Sequence, residues 1–179
     1  MSVQGRSVRL LAAAWAALAA SACARSSQLV RQAVVPDRGS YATAILNVTA
    51  ADGKDFENER RTFESLALAR LTELRIFSRI TLGDSSVAAG DALKITARVV
   101  GVRKVGAVQR FMFGALAGRA SMQVDVDFSE QASGRPLGSF TVKGETGSTG
   151  YSGGTPEALT RAAEQVAKLT AVHFAPRQP

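Results

Sequence analysis

The chain of 179 residues is poor in the side chains that do chemistry: one cysteine, one histidine, one tryptophan and two tyrosines. One histidine and one cysteine cannot together complete a Cys/His zinc site within one chain. A lone cysteine excludes an internal disulfide. No G-x-S-x-G nucleophile elbow, no G-x-G-x-x-G and no P-loop lysine followed by Ser or Thr occurs. No cofactor and no metal is therefore expected, and the reading is of a protein that is not an enzyme. No nucleic-acid-binding motif is present either. What remains is an ordinary globular composition, 46% hydrophobic and 21% charged, with a formal net charge of +7.

The first residues carry an address. Arg6 and Arg9 precede an uncharged run from Leu10 to Ala20, after which comes Ala20-Ser21-Ala22-Cys23. A basic start, a short apolar stretch and small residues make a secretory signal. The run is shorter than the roughly 20 apolar residues a transmembrane helix needs. Small residues directly before the cysteine resemble the lipobox of bacterial lipoproteins, although Ala20 stands where Leu is commonest. That resemblance implies cleavage between Ala22 and Cys23 and a diacylglycerol on the Cys23 thiol. The alternative is an A-x-A cleavage site that leaves a soluble protein with a free cysteine. Ala24 follows in place of aspartate, which by the same resemblance favours the outer membrane, at its periplasmic face. Loss of residues 1–22 leaves 20 basic residues against 15 acidic, a modest net +5. That charge suits anionic headgroups or cell-wall polymers.

Residues 23–39 read as the lipidated cysteine and a polar tether, with residues 40–175 as one globular domain and 176–179 as a tail. The Leu29-Val30 and Val34-Val35 pairs allow an edge strand instead. Tyr41 to Val48 reads as a strand. Asp55 to Phe77 reads as a helix N-capped by Asp55, with Phe56, Phe63, Ala67, Leu71 and Leu74 on one face. Ser78 to Leu82 suits a short strand. Leu93, Ile95, Ala97 and Val99 alternate, and a phase change at Val99-Val100-Gly101 marks a bulge. Met122, Val124, Val126 and Phe128 alternate with Gln123, Asp125 and Asp127, and Phe140 with Val142 completes an antiparallel hairpin. Thr155-Pro156-Glu157 opens a last helix with Thr155 as N-cap, bearing a stripe of Leu159, Ala162, Ala163, Val166 and Leu169. These elements give an α+β fold: a single, mostly antiparallel sheet of about five strands covered by two helices, in the order β-α-β-β-β-β-α.

Few residues are candidates for function. Asp125 and Asp127 share one strand face and have the chemistry for acid–base work or calcium, but a wet strand face looks the same. His173 sits near a helix end, where a cation suits the dipole. Residues 144–154 hold five glycines before a helix N-terminus and read as a loop, with Tyr151 as its contact residue. Residues 111–118 are apolar and uncharged between Arg110 and Arg119, and lie between two strands. Phe111, Met112, Phe113 and Leu116 make this segment a candidate contact surface for a partner or a membrane.

The run from Arg110 through Gly118, then Ala120 to Val126, then Ser133-Gly134-Arg135-Pro136-Leu137, is similar to the bacterial lipoprotein family of the domain of unknown function 4410. The likeness spans Tyr41 to about Val172. It implies an exported lipoprotein and brings no activity and no catalytic residues. At the level of fold alone, the arrangement also resembles curli-secretion and penicillin-binding-protein-activator lipoproteins. The expected function is a membrane-anchored, outer-membrane lipoprotein that binds an envelope protein or the cell wall. The alternative is a structural subunit of an oligomeric outer-membrane assembly, through self-association.

Overall fold

The computed structural model describes residues 27–32, 41–52, 54–83, 92–105, 112, 118–147 and 154–175. Six strands form one sheet: β1 (Ser27–Gln32), β2 (Thr43–Ala50), β3 (Arg79–Leu82), β4 (Ala92–Arg103), β5 (Ser121–Glu130) and β6 (Pro136–Glu145). Two long helices, α1 (Glu57–Glu73) and α2 (Thr155–Phe174), complete the described elements. The strand order is β1-β6-β5-β4-β2-β3. The β1–β6, β6–β5 and β5–β4 pairs are antiparallel, and β2 runs parallel to both β3 and β4. The parallel pairing of β2 with β3 requires the crossover that α1 supplies.

The α+β architecture and its β-α-β-β-β-β-α core are as the sequence pattern dictates, and β1 adds a sixth strand at the edge. That strand lies in the segment read as a tether; of the two readings, the edge strand is the one observed. The phase change also has its physical counterpart. The β4–β5 register shifts between Val99 and Gly101, so Val99 pairs with Val124 and Val102 with Met122. The extra residue turns both valines towards the core.

Both helices lie on one face of the sheet. Leu46 and Val48 of β2, Leu93 to Val99 of β4, Met122 to Phe128 of β5 and Phe140 and Val142 of β6 meet Phe63, Ala67 and Leu71 of α1. Leu159, Ala162, Ala163 and Val166 of α2 close the same core. The rings of Tyr41, Phe128, Phe140 and Phe174 form an edge-to-face and tilted cluster, with centroids 4.9 to 6.1 Å apart. Such pairs add directional attraction to burial.

Four local expectations are corrected. Asp55 is not a cap: α1 starts at Glu57 behind Phe56, with no side-chain cap bond. Glu57 and Glu59 supply the negative charge at that end instead. Thr155 is likewise inside α2, whose N-cap is Gly154, so the helix opens on backbone geometry and Pro156 rather than on a hydroxyl. Leu74, expected on the apolar face, is the C-cap of α1 and is 42% exposed, lining a hollow beside α2 with Glu164 and Lys168. Finally, residues 144–146 are not loop. Gly144 and Glu145 extend β6, and buried Thr146 accepts the backbone N–H of Ala120 on its hydroxyl at 3.1 Å. A Cβ on Gly144 would lie 2.1 Å from the Ala158 carbonyl oxygen and 2.6 Å from the Ala162 nitrogen. Only glycine lets α2 approach β6 so closely.

Candidate functional site

The side chains that alternate with the core residues point away from the helices. On β4 they are Lys94, Thr96 and Arg98, on β5 Gln123, Asp125 and Asp127, and on β6 Ser139, Thr141 and Lys143. Among the described residues no helix covers this second face over β4, β5 and β6. Towards β2 the face is closed, since Ile45, which shares its side, is only 1% exposed.

The register puts Arg98, Asp125 and Thr141 opposite one another across three strands. Thr141 donates its hydroxyl to Asp125 Oδ1 at 2.7 Å, and the Arg98 guanidinium stands 3.5 Å from Asp125 Oδ2. Both carboxylate oxygens thus have partners in the sheet itself. The next row pairs Thr96, Asp127 and Ser139, with Asp127 exposed. A second ion pair joins Lys143 to Glu145 at 2.5 Å. The two aspartates therefore differ: Asp125 is held by neighbours, and Asp127 faces outward. Among the described residues, no three His, Cys, Asp or Glu side chains cluster as metal ligands.

His173 lies against the aromatic cluster, its ring 5.1 Å from Phe140 and 6.4 Å from Phe174. It belongs to the packing at the end of α2. A shallow hollow of about 280 Å³ lies between the helices, lined by Arg70, Glu73, Leu74, Glu164, Ala167 and Lys168. Arg70 bonds Glu73 at 2.7 Å and reaches Glu164 of α2 at 3.4 Å. The Glu73 hydrogen bond raises the Arg70 pKa, so the guanidinium stays charged as a bridge between the helices.

Of the contact residues expected from sequence, Met112 is described and is 68% exposed, the most exposed large apolar side chain of the described residues. Phe111, Phe113, Leu116 and Tyr151 lie outside the described residues, as do Ala22, Cys23, the whole 1–22 segment and the 176–179 tail. The Arg98–Asp125–Thr141 row was not singled out from sequence. Alternation gives the face of each strand, but the registers between strands, which bring those three together, are set by the bulge and the turns. The continued alternation of Phe140, Val142 and Gly144, opposite the small Ala158 and Ala162, is the signal that identifies Gly144 as strand.

Comparison with known proteins follows the same outline. Residues 65–150 match the model of the family described as Domain of unknown function (DUF4410). No curated protein matches the chain in sequence. Among solved structures, the PelC dodecamer from Paraburkholderia phytofirmans has a similar fold, with a TM-score of 0.56 and 16% identity. That match covers 85% of this chain and 99% of the PelC chain. Protein XCC0632 from Xanthomonas campestris, described as DUF330, is more distant, with a TM-score of 0.43 and 11% identity over 74% of this chain and 82% of its own. The family match is narrower than the likeness read from the sequence and lies within it: residues 65–150 are similar to the domain of unknown function DUF4410.

Proposed function

We propose that this chain is a lipid-anchored binding module of the bacterial envelope, held through Cys23 at the periplasmic face of the outer membrane, and that it does no chemistry of its own. The observation that carries the reading is the polar sheet face over β4 to β6. Its most chemically capable side chain, Asp125, is committed to Thr141 and Arg98. A face of paired charges with a fixed pattern recognises a complementary surface and gives specificity to the contact. Several acyl chains on one residue hold a protein stably at a bilayer, at about 0.8 kcal/mol per buried CH2.

A second reading makes the partner another copy of the chain, as a structural subunit of an oligomeric outer-membrane assembly. It is favoured by the PelC likeness, because the neighbour that assembles as a dodecamer is matched over 99% of its length. Two measurements test these readings. Metabolic palmitate labelling is expected in the wild type and lost in Cys23→Ala; equal labelling, or none in either, refutes the anchor. The mass of the full chain extracted in detergent then separates the two: a single-chain mass supports the module that binds other molecules, and a closed multimer supports the subunit.

A further inference from the structure

Resting on the β4–β6 face as the contact surface and on the Cys23 anchor, we infer that the partner is a second copy of the chain. The two copies pack face to face about a two-fold axis that runs along the strands, between β4 and β5. The argument begins with the sorting of charge by strand. Every charged side chain that β4 puts on this face is a cation, Lys94, Arg98 and Arg103, and every one that β5 puts there is an anion, Asp125 and Asp127. The two columns are adjacent and in register, with Arg98 opposite Asp125 and Thr96 opposite Asp127. Arg98 is 55% exposed and Asp127 is exposed, so both signs face outward. Thr49 of β2 lies in the row of Arg98 and is exposed too. The face is therefore open at this level, and it closes two rows further along, where Ile45 pairs with Lys94.

Few occupants match such a surface. An anionic polymer that meets the cations of β4 also meets the carboxylates of β5, one strand spacing or about 4.8 Å away. A second copy matches both signs. Turned about the axis along the strands, each copy sets its β4 over β5 of the other, so Arg98 meets Asp125 of the other copy, and the contact occurs twice by symmetry. An in-plane axis across the strands would lay β5 on β5, carboxylate against carboxylate, which is repulsive. The anchor selects the same axis. Ser27 follows Cys23 by four residues, which span at most about 14 Å, and it pairs with Gly144 near the end of β6. Rotation along the strands keeps that end of both copies on one side, so both lipids enter one bilayer. Rotation across them sends the lipids to opposite ends of a ten-residue strand, about 33 Å apart. Packed sheets keep their strands within about 30° of alignment, which the first arrangement satisfies. Charge pairs give the contact its orientation more than its affinity, and two anchors in one bilayer supply the proximity.

The test places benzoyl-phenylalanine at Gln123, which the two-fold sets over Gly101 of the other copy, where no side chain blocks the probe. The full chain is irradiated in intact cells, and palmitate incorporation is measured on the same samples. The expected product has twice the mass of the chain and contains this chain alone. Arg98→Asp makes the columns wholly anionic around the axis and Asp125→Arg makes them cationic; each alone is expected to lower that product about five-fold or more. Expressed together, the two variants are expected to restore it as a mixed pair, because positions 98 and 125 then carry opposite charge at both contacts. Restoration also shows that both variants fold. Self-adducts undiminished in either variant alone, or not restored in the mixture, overturn the matching of the columns. Adducts only to another envelope protein overturn the second copy and leave the contact face standing. No adduct at all overturns both. Absence of palmitate overturns the anchor, and the shared-bilayer part of this inference with it.

Discussion

The two faces of the sheet are built from the same strands and have opposite characters. On the helix side, Leu93, Ile95, Ala97 and Val99 of β4 are fully buried. On the other side of the same strand, Arg98 is 55% exposed and ion-paired across to Asp125. The comparison teaches where stability and recognition reside. Removing apolar area from water contributes about 25 cal/mol per Å², and the helix side holds most of that area. Ion pairs at exposed positions contribute little to stability, with a median of about 0–1 kcal/mol. A surface of that kind is available to a partner without the fold depending on it.

The largest effect is expected where the covered face is emptied. Phe63 is 0% exposed between α1 and the sheet, and Phe63→Ala is expected to cost about 3–5 kcal/mol. Denaturant melts check this, and Asp127→Ala is the matched control on the open face, where the expected change is within about 0.5 kcal/mol. Equal losses at the two sites would dissolve the contrast between the faces.

Next in size is Gly144→Ala. The added methyl meets the Ala158 carbonyl and the Ala162 nitrogen at distances no packed atom tolerates. Either α2 or β6 must move, at a cost of about 1–3 kcal/mol or more. A thermal midpoint unchanged from wild type would show that the close approach of α2 to β6 is not a constraint.

A smaller effect is expected on the open face. A double-mutant cycle with Arg98→Ala and Asp125→Ala is expected to give a coupling of about 0.2–1 kcal/mol, weakened by salt. A coupling of several kcal/mol would mean that this face carries fold stability, contrary to the comparison.

The smallest effect concerns pH. Glu57 accepts hydrogen bonds from Arg60 and Arg61, which hold its pKa near 2 in place of the ordinary 4.5. The folded chain thus favours the ionised form. The contribution is present above about 4.5 and is lost as the pH falls towards 2. The stability difference between wild type and Glu57→Gln is expected to narrow across that interval, and a constant difference would show that the pairs are idle.

These expectations rest on elements that differ in how plainly the sequence displays them. The β5–β6 hairpin is legible because Met122 to Phe128 alternate without interruption and Phe140 and Val142 repeat the pattern. The bulge at Val99-Val100-Gly101 is legible for the same reason, as a break in phase. The helix starts are not. Asp55 and Thr155 are good capping residues, but the chain enters α1 behind Phe56 and α2 behind Gly154 because packing fixes where each helix meets the sheet. The edge strand β1 is a third case. Its strand pairing is with β6, distant in sequence, and nothing local distinguishes such a segment from a tether. The candidate site divides in the same way. Asp125 and Asp127 are recognisable as one face, whereas the pairing of Asp125 with Arg98 and Thr141 depends on registers set by the bulge and the turns.

The central claim, that the face which no described helix covers is the one a partner meets, is tested most directly by photo-crosslinking in intact cells. A benzoyl-phenylalanine in place of Asp127 samples the open face, and one in place of Ala69 samples the outer side of α1. Adducts from position 127, to a second copy of the chain or to an envelope protein, with none from position 69, are the expected result. Adducts from position 69 and none from 127 would contradict it.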